Sequence, residues 1–380
     1  MTSLRTLSMY VVGKGNLLAE LGHLNLKVDF LHIKHLERVQ SVEDAKEAYM
    51  LDKHVKALLL SWDEESELQE NVEKILEGLQ PYTQQLQELW VEGYTSSYFP
   101  EWMSSPSLIH LRELCLINCK SCLHLTQYGK VPSLEILKLD KLPNLTRLSR
   151  EDSENMFQHL SKLQITECPN LFGLPCLPFL NEMTISGKCN HGLLSSIHKL
   201  DSLESLGFDN FKELKCFPDG MLRKLTSLKK LWIASCSEIE SLGEALQDVT
   251  ALKSLILEDL LNLTSLSSSL GNLCSLQVLL LSNLPNLTSL PDSSGNLSSL
   301  QHLNICNCPK LICLPGSIQS FNALKILIIY GCPELERRCK RETGEDWPKI
   351  SQIQTLVGMF WISCHLLIHF DPLIYYIVRL

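Results

Sequence analysis

None of the short motifs that usually betray an enzyme occurs in this chain of 380 residues. A G-x-x-x-x-G-K-[ST] phosphate loop is absent; "VVGKGN" at Val11 lacks the first glycine and the hydroxyl residue. There is no G-x-G-x-x-G, no G-x-S-x-G elbow and no H-E-x-x-H. His365 and His369 lie four apart, but the intervening "LLI" supplies no carboxylate base. No catalytic, cofactor-binding or metal-ligating residue is therefore expected. Positive charge is scarce as well: the formal net charge is −9, which argues against a nucleic-acid partner. The one basic cluster, "RRCKR" from Arg337 to Arg341, reads as a solvated face. Met1 is followed by "TSLRTLSMYVVGKG", without the basic start, apolar run and small-residue cleavage site of a secretory leader. Without export, the fifteen cysteines are expected to be reduced thiols of a cytoplasmic protein.

What the chain has instead is a period. Leu300-x-x-Leu303-x-Ile305 recurs from Leu111, Leu134, Leu160, Leu180, Leu203, Leu228, Leu252, Leu276 and Leu324, in steps of 20 to 26 residues. All thirty positions of these ten triplets are apolar, so the pattern is structural. In many repeats further apolar residues follow at eleven and fourteen after the anchor, often closed by proline, as in "LTSLP" and "LICLP". Earlier frames are looser: Leu86-x-x-Leu89-x-Val91, Val55-x-x-Leu58-x-Leu60 and Leu4-x-x-Leu7-x-Met9. Two helical inserts lie among them. "SELQENVEKILEGLQP" puts Leu68, Val72, Ile75, Leu76 and Leu79 on one face, with Ser66 and Gln69 spaced as a capping box and Pro81 as a stop; "SVEDAKEAYML" is a shorter helix.

This is the leucine-rich-repeat signature, and it predicts an α/β solenoid, or horseshoe. Short parallel strands line its concave face, and irregular or short helical segments form its convex side. Alternation along each strand turns the triplet inward, and stacked coils share one core because a single coil cannot bury its apolar face alone. Residues 1–100 are expected to be early irregular repeats with helical inserts, 101–353 regular repeats of about 24 residues, and 354–380 an apolar extension. In that extension Ser363, His365, His369 and Asp371-Pro372 interrupt what would otherwise be a membrane-spanning run, so insertion is not expected.

Three cysteines crowd into "QHLNICNCPKLICLPGSI", and the repeat frame separates them. Cys308 falls eight after its anchor, a slot also held by Cys119, Cys168, Cys236 and Cys332, and by Leu142, Phe211, Leu260 and Leu284. The slot asks for a compact buried group, and a thiol there can donate weakly to turn carbonyls. Cys306 falls at an outward strand position, and Cys313 shares another slot with Cys216. Asn144, Asn262, Asn286 and Asn296 begin N-L-[ST] triplets, which look like glycosylation acceptors. Three of them coincide with the "PNL" or "LNL" of the repeat.

Several phrases together resemble the leucine-rich-repeat region of plant disease-resistance proteins of the coiled-coil, nucleotide-binding (NLR) class. They are "MTSLRTLSMYVVGKG", "HIKHLERVQSVEDAKEAYMLDKHVKALLLSWDEE", "YFPEWM" and "CPELERRCKRETGEDWPKI", and the likeness covers roughly residues 1–353. It implies an intracellular sensor domain that recognises a pathogen effector or host target and docks on a nucleotide-binding switch. That switch and its preceding coiled coil are absent from this chain. The repeat frame starts almost at Met1, which suggests a piece of a longer gene product. Two other readings stay open: an extracellular receptor ectodomain, and a substrate adaptor of a ubiquitin ligase.

In each reading function falls on the outward strand positions. Four after the anchors stand Trp90, Lys138, Gln164, Trp232, Ile256, Leu280, Asn304 and Ile328; six after stand Asp140, Asp209, Glu258 and Tyr330. Trp90, Trp232 and Tyr330 are the expected anchors for a protein partner, flanked by Lys138, Asp140, Gln164, Asp209 and Glu258. Ile256, Leu280 and Ile328 are expected to add an exposed apolar patch.

Overall fold

In the computed structural model, which describes residues 7–13, 17–24, 28–63, 71–125, 128, 130–148, 157–292, 296–353 and 355–357, fifteen strands pair in strict chain order in one parallel sheet. They are β1 (Met9–Val11), β2 (Phe30–Lys34), β3 (Ala57–Ser61), β4 (Glu88–Glu92), β5 (Glu113–Ile117), β6 (Ile136–Asp140), β7 (Lys162–Cys168) and β8 (Glu182–Cys189), followed by β9 (Ser205–Asp209), β10 (Lys230–Ala234), β11 (Ser254–Glu258), β12 (Val278–Ser282), β13 (His302–Cys306), β14 (Ile326–Tyr330) and β15 (Thr355–Val357). The convex side carries short 3₁₀ turns and five short helices: α1 (Val42–Glu47), α2 (Val72–Gly78), α3 (His191–Ser196), α4 (Pro333–Arg338) and α5 (Trp347–Ile350).

Registration is carried by a repeated backbone device. The carbonyl one residue before each strand accepts two N–H groups from the next coil: Gln301 and His302 both donate to Gln277 O, and Lys325 and Ile326 both donate to Gln301 O. After the strand, one residue enters the left-handed region, and its N–H reaches the last carbonyl of the next strand. Asn118 donates to Asp140 O, Asn283 to Cys306 O and Asn307 to Tyr330 O, with φ near 50° at all three donors. Asparagine tolerates that conformation better than most residues. With both ends pinned, the triplet leucines face inward: Leu300, Leu303 and Ile305 are all at most 1% exposed.

The slot eight after the anchor behaves as its chemistry requires. Cys119, Cys168, Cys236, Cys308 and Cys332 are all fully buried. Each thiol donates to the carbonyl two residues back, Cys236 Sγ to Ala234 O at 3.1 Å and Cys308 Sγ to Cys306 O at 3.4 Å. Burial pushes the thiols of Cys168 and Cys236 up to about 12, so at neutral pH they remain protonated packing groups. Cys306 and Cys313 are only half-buried, so the three neighbours occupy different environments.

The early coils depart from the sequence expectation in three ways. Met9 does not point inward; it pairs with His32 and is 47% exposed, while Tyr10 pairs with the inward Ile33. A one-residue slip exchanges the faces of a strand. Second, Val28-x-x-Leu31-x-Ile33 is a further repeat beyond the expected frames, and it forms β2. Third, Asn71, inside the insert expected to be helical, takes φ 63°, and among the described residues the helix runs over Val72–Gly78 without a side-chain cap; Ser66, Leu68 and Gln69 lie outside the described residues. The shorter insert forms α1 as expected, with Ser41 Oγ accepting from Asp44 N at 3.1 Å.

At the other end, "RRCKR" is more than a solvated face. Arg338 donates to both carboxylate oxygens of the fully buried Asp346, which also accepts from Leu314 N and from Lys349 Nζ. Burial alone would raise the Asp346 carboxyl, but these donors hold it below the usual carboxylate range. β15 then adds to the sheet past Ile353. No helix among the described residues is long and apolar enough to cross a membrane, and the apolar stretch after Val357 lies outside them.

Candidate protein-recognition face

Alternation places three outward residues on most strands, and the parallel register lines them up in three rows across the sheet. The central row runs His32, Leu59, Trp90, Cys115, Lys138, Gln164, Thr184, Gly207, Trp232, Ile256, Leu280, Asn304 and Ile328. All eight residues expected to bind a partner stand on this face. Trp90, Lys138, Asp140, Gln164, Asp209, Trp232 and Glu258 are half-buried, and Tyr330 is 60% exposed. The structure gathers six of them in two groups: Lys138 and Asp140 on β6 with Gln164 on β7, and Asp209 on β9, Trp232 on β10 and Glu258 on β11. Trp90 and Tyr330 lie far from that group, near opposite ends of the sheet.

The anticipated apolar patch is corrected. Ile256 is 4% exposed and Asn304 7%, while Leu280 and Ile328 are half-buried. Strands about 4.8 Å apart let large side chains in one row cover their neighbours. Trp232 shows this directly: a Cβ placed on Gly207 would sit 2.1 Å from its Cε2, so the indole lies across the glycine and depends on it. Trp90 makes an edge contact with Phe30 at 6.3 Å, and its Nε1 is buried without a hydrogen-bond partner. Asn304 Oδ1 is likewise buried and unpaired.

Charge is distributed unevenly between the rows. Near the first row acids and bases meet: Lys138 Nζ lies 2.8 Å from Glu113, and Lys162 Nζ 3.2 Å from Glu182. In the third row Asp140, Asp209 and Glu258 have no ion-pair partner among the described residues. Asp209 accepts only from Ser186 Oγ, at 3.3 Å. Burial raises the Glu258 carboxyl, and the neighbouring charges of Asp259 and Asp209 raise it further. Burial also raises Asp140, with Lys141 opposing and Glu167 adding to the shift.

Among the described residues the one set of His, Asp, Glu and Cys side chains near enough to share an ion is His35, Glu37 and Asp63. It contains no cysteine. Its Glu37 already takes His35 Nδ1 at 3.0 Å, Asp63 N at 2.9 Å and the Arg38 guanidinium at 3.3 Å. The positive charge an ion would bring is already present. Of the four possible glycosylation acceptors, Asn144 and Asn286 spend their amides on the preceding coil, donating to Lys120 O and Leu261 O at 2.8 and 2.7 Å.

Known proteins share both the pattern and the fold. A model of the R13L1/DRL21 leucine-rich repeats matches residues 18–142. The disease resistance protein RGA2 of Solanum bulbocastanum is 34% identical over 266 residues, 65% of this chain and 27% of that protein. The disease resistance protein RGA4 of the same plant, recorded there as putative, is 30% identical over 60% of this chain and 27% of its own length. The chain thus spans roughly a quarter of the curated relatives it matches. Among solved structures, a chain of the Drosophila Toll–Spatzle complex aligns over 84% of this chain and 46% of its own, with a TM-score of 0.57 at 15% identity. At that identity the likeness speaks for the fold alone.

Proposed function

Because the chain is similar to the leucine-rich-repeat region of plant disease-resistance proteins, we propose that its concave sheet face is a protein-recognition surface of an intracellular immune receptor. The partner is a pathogen effector or a host protein that an effector modifies. In a full-length receptor the same solenoid docks on a nucleotide-binding switch. The carrying observation is the three-row face itself. It sets half-buried aromatic and charged side chains at the spacing of the sheet, with two buried polar atoms unpaired among the described residues. Aromatic side chains held in place lose little entropy on binding, and such residues dominate interfaces. An intracellular setting is supported by the free cysteines, of which the five in the repeat slot serve as core packing.

Position-specific photocross-linking tests this. A photoreactive residue at Gln164 or Tyr330, on the sheet face, is compared with one at Phe172 or Phe179, both about 60% exposed on the other side. In plant tissue challenged with a pathogen, the sheet-face positions are expected to trap a discrete protein adduct that the controls do not. Equal labelling from both sides would remove the sheet face as the recognition surface.

A further inference from the structure

Cys308 and Cys332 stand 24 residues apart in the same turn slot, and they are the one pair of slot cysteines on consecutive coils. Cys119 and Cys168 share Leu142 as a slot neighbour, and Cys236 has Phe211 and Leu260. Strands β13 and β14 pair in register up to Cys306 and Tyr330, and each slot residue follows its strand by two positions. Parallel neighbours about 4.8 Å apart bring such Cα atoms within the separation that a disulfide spans, about 4.4–6.8 Å.

Hydrogen bonds join the two sulfurs. Cys308 N donates to Cys332 Sγ at 3.2 Å, and the Cys308 thiol can donate either to that same sulfur or to Cys306 O. The bond from Cys308 lowers the Cys332 thiol below its ordinary range although burial opposes it, while the same bond and burial raise Cys308. Cys332 is therefore the readier nucleophile of the two. Cys168 and Cys189 are register partners as well, but among the described residues no hydrogen bond joins their sulfurs, and the Cys168 thiol donates to Thr166 O.

Loss of the two S–H groups would leave their carbonyl partners satisfied. Cys306 O also accepts from Asn283 N at 2.9 Å, and Tyr330 O, which takes the Cys332 thiol, also accepts from Asn307 N at 2.7 Å. Neither acceptor is orphaned.

We propose that Cys308 and Cys332 are an oxidative modification site, a thiol pair that hydrogen peroxide converts to a disulfide tying the coils of β13 and β14 together. Cys332 gives up its proton, and its sulfur attacks one peroxide oxygen. The O–O bond breaks, and the departing hydroxide takes that proton to become water. Cys308 sulfur then attacks the resulting sulfenic acid; the S–S bond forms, the S–O bond breaks, and the second hydroxide leaves with the Cys308 proton as water. Two thiols and one peroxide thus give one disulfide and two waters. Both side chains are fully buried, so the reaction waits on local opening and trails that of the exposed Cys176, Cys216 and Cys274. The product closes a short loop and stabilises the fold by restricting the unfolded chain. The site stands whether or not the sheet face binds a partner.

The test uses the full chain. Exposed thiols are blocked with N-ethylmaleimide under native conditions, and hydrogen peroxide is added. Remaining thiols are capped with iodoacetamide in urea, and digests are mapped without reduction. The expected product is a peptide pair linked from Cys308 to Cys332, two hydrogens lighter than the sum of its parts. It should form at least about tenfold faster than Cys119, Cys168 or Cys236 loses its free thiol. Cys306→Ser should keep the link and Cys308→Ala should lose it; if Cys308→Ala fails to fold, the wild-type map decides alone. The linked protein is expected to melt several degrees higher than the reduced one, and dithiothreitol should return it. Absence of the Cys308–Cys332 peptide once the other buried thiols are oxidised would overturn the proposal. So would a link through Cys306, a Cys168–Cys189 link formed as readily, or a melt that the linkage lowers or leaves unchanged.

Discussion

The coils before β5 and those from β9 to β14 are built on different terms. In the later set the step between anchors is 24 or 25 residues, and each slot keeps a narrow chemistry: leucine, isoleucine or phenylalanine inward, cysteine, leucine or phenylalanine in the turn, and asparagine or another short residue at positive φ. In the early set the steps are longer, helices α1 and α2 fill the back, and the space between is closed by bulky aromatics. Trp62 packs edge-on to Tyr94 at 5.2 Å, Tyr94 on Phe99 at 5.0 Å and Phe99 on Tyr128 at 5.7 Å. All of these but Phe99 carry a polar atom, and in the early coils such atoms find individual partners: Tyr94 Oη donates to Tyr98 O at 2.7 Å. Trp102 Nε1 donates to Leu76 O at 3.1 Å, and the buried Lys53 Nζ donates to Leu24 O at 2.7 Å. Equal coils can share one solution, whereas unequal coils require individual ones.

The last coil belongs with the early ones, and it supplies the sharpest way to break the comparison. Between β14 and β15 the helices α4 and α5 are pinned through Asp346. Asp346→Asn is expected to cost about 3–5 kcal/mol, since it leaves Arg338 and Lys349 short of a buried counter-charge. The sign with pH follows from the depressed carboxyl. Its contribution is fully present above the unfolded value of about 3.9 and disappears as pH falls through the lower folded value. Urea midpoints of wild type and variant should therefore differ most at neutral pH and converge in strong acid. A gap that is constant with pH would mean that the ion pairs do not hold this coil.

Within the two regions themselves, deletion should read differently. Leu257→Ala, at a fully buried triplet position of β11, is expected to cost about 2–5 kcal/mol, because the regular stack cannot collapse onto the hole. Trp102→Phe keeps most of the apolar contact and removes one of the two bonds that Leu76 O accepts, the other coming from Leu79 N, for about 0.5–1.5 kcal/mol. If Trp102→Phe proves neutral in denaturant melts, the early coils rest on apolar filling just as the later ones do, and the contrast disappears.

How much of this could be read from the residues follows the same division. The triplet leucines, the cysteine slot and the outward rows were legible because period alone assigns a side chain to a face. The β2 repeat, Val28, Leu31 and Ile33, fits the triplet as well, but its anchor is a valine among looser early frames, and the pairing register is what marks it as a strand. The burial of Ile256 and Asn304 was not legible at all: it depends on the size of side chains one strand away, and one sequence does not show which neighbours those are. The grouping of Asp209, Trp232 and Glu258 needed the pairing register for the same reason.

The smallest expected effect concerns the turn that closes every regular coil. A signal for it was present in the sequence, in Asn118, Asn210, Asn283 and Asn307 at seven after their anchors, though only the positive φ values give it meaning. Ser235 occupies the same position with φ 55°, and its N–H donates to Glu258 O at 3.0 Å. A residue other than glycine, asparagine or aspartate gives up roughly 1 kcal/mol there. Ser235→Asn should therefore raise stability by up to about 1 kcal/mol, and Asn283→Ser should lower it by a similar amount. The two changes sit on equivalent turns two coils apart, so their shifts in urea midpoint should be near mirror images if the coils are interchangeable. Unequal shifts would show that even the regular region is tuned coil by coil, with the bond from Asn283 to Asp259 as the first place to look.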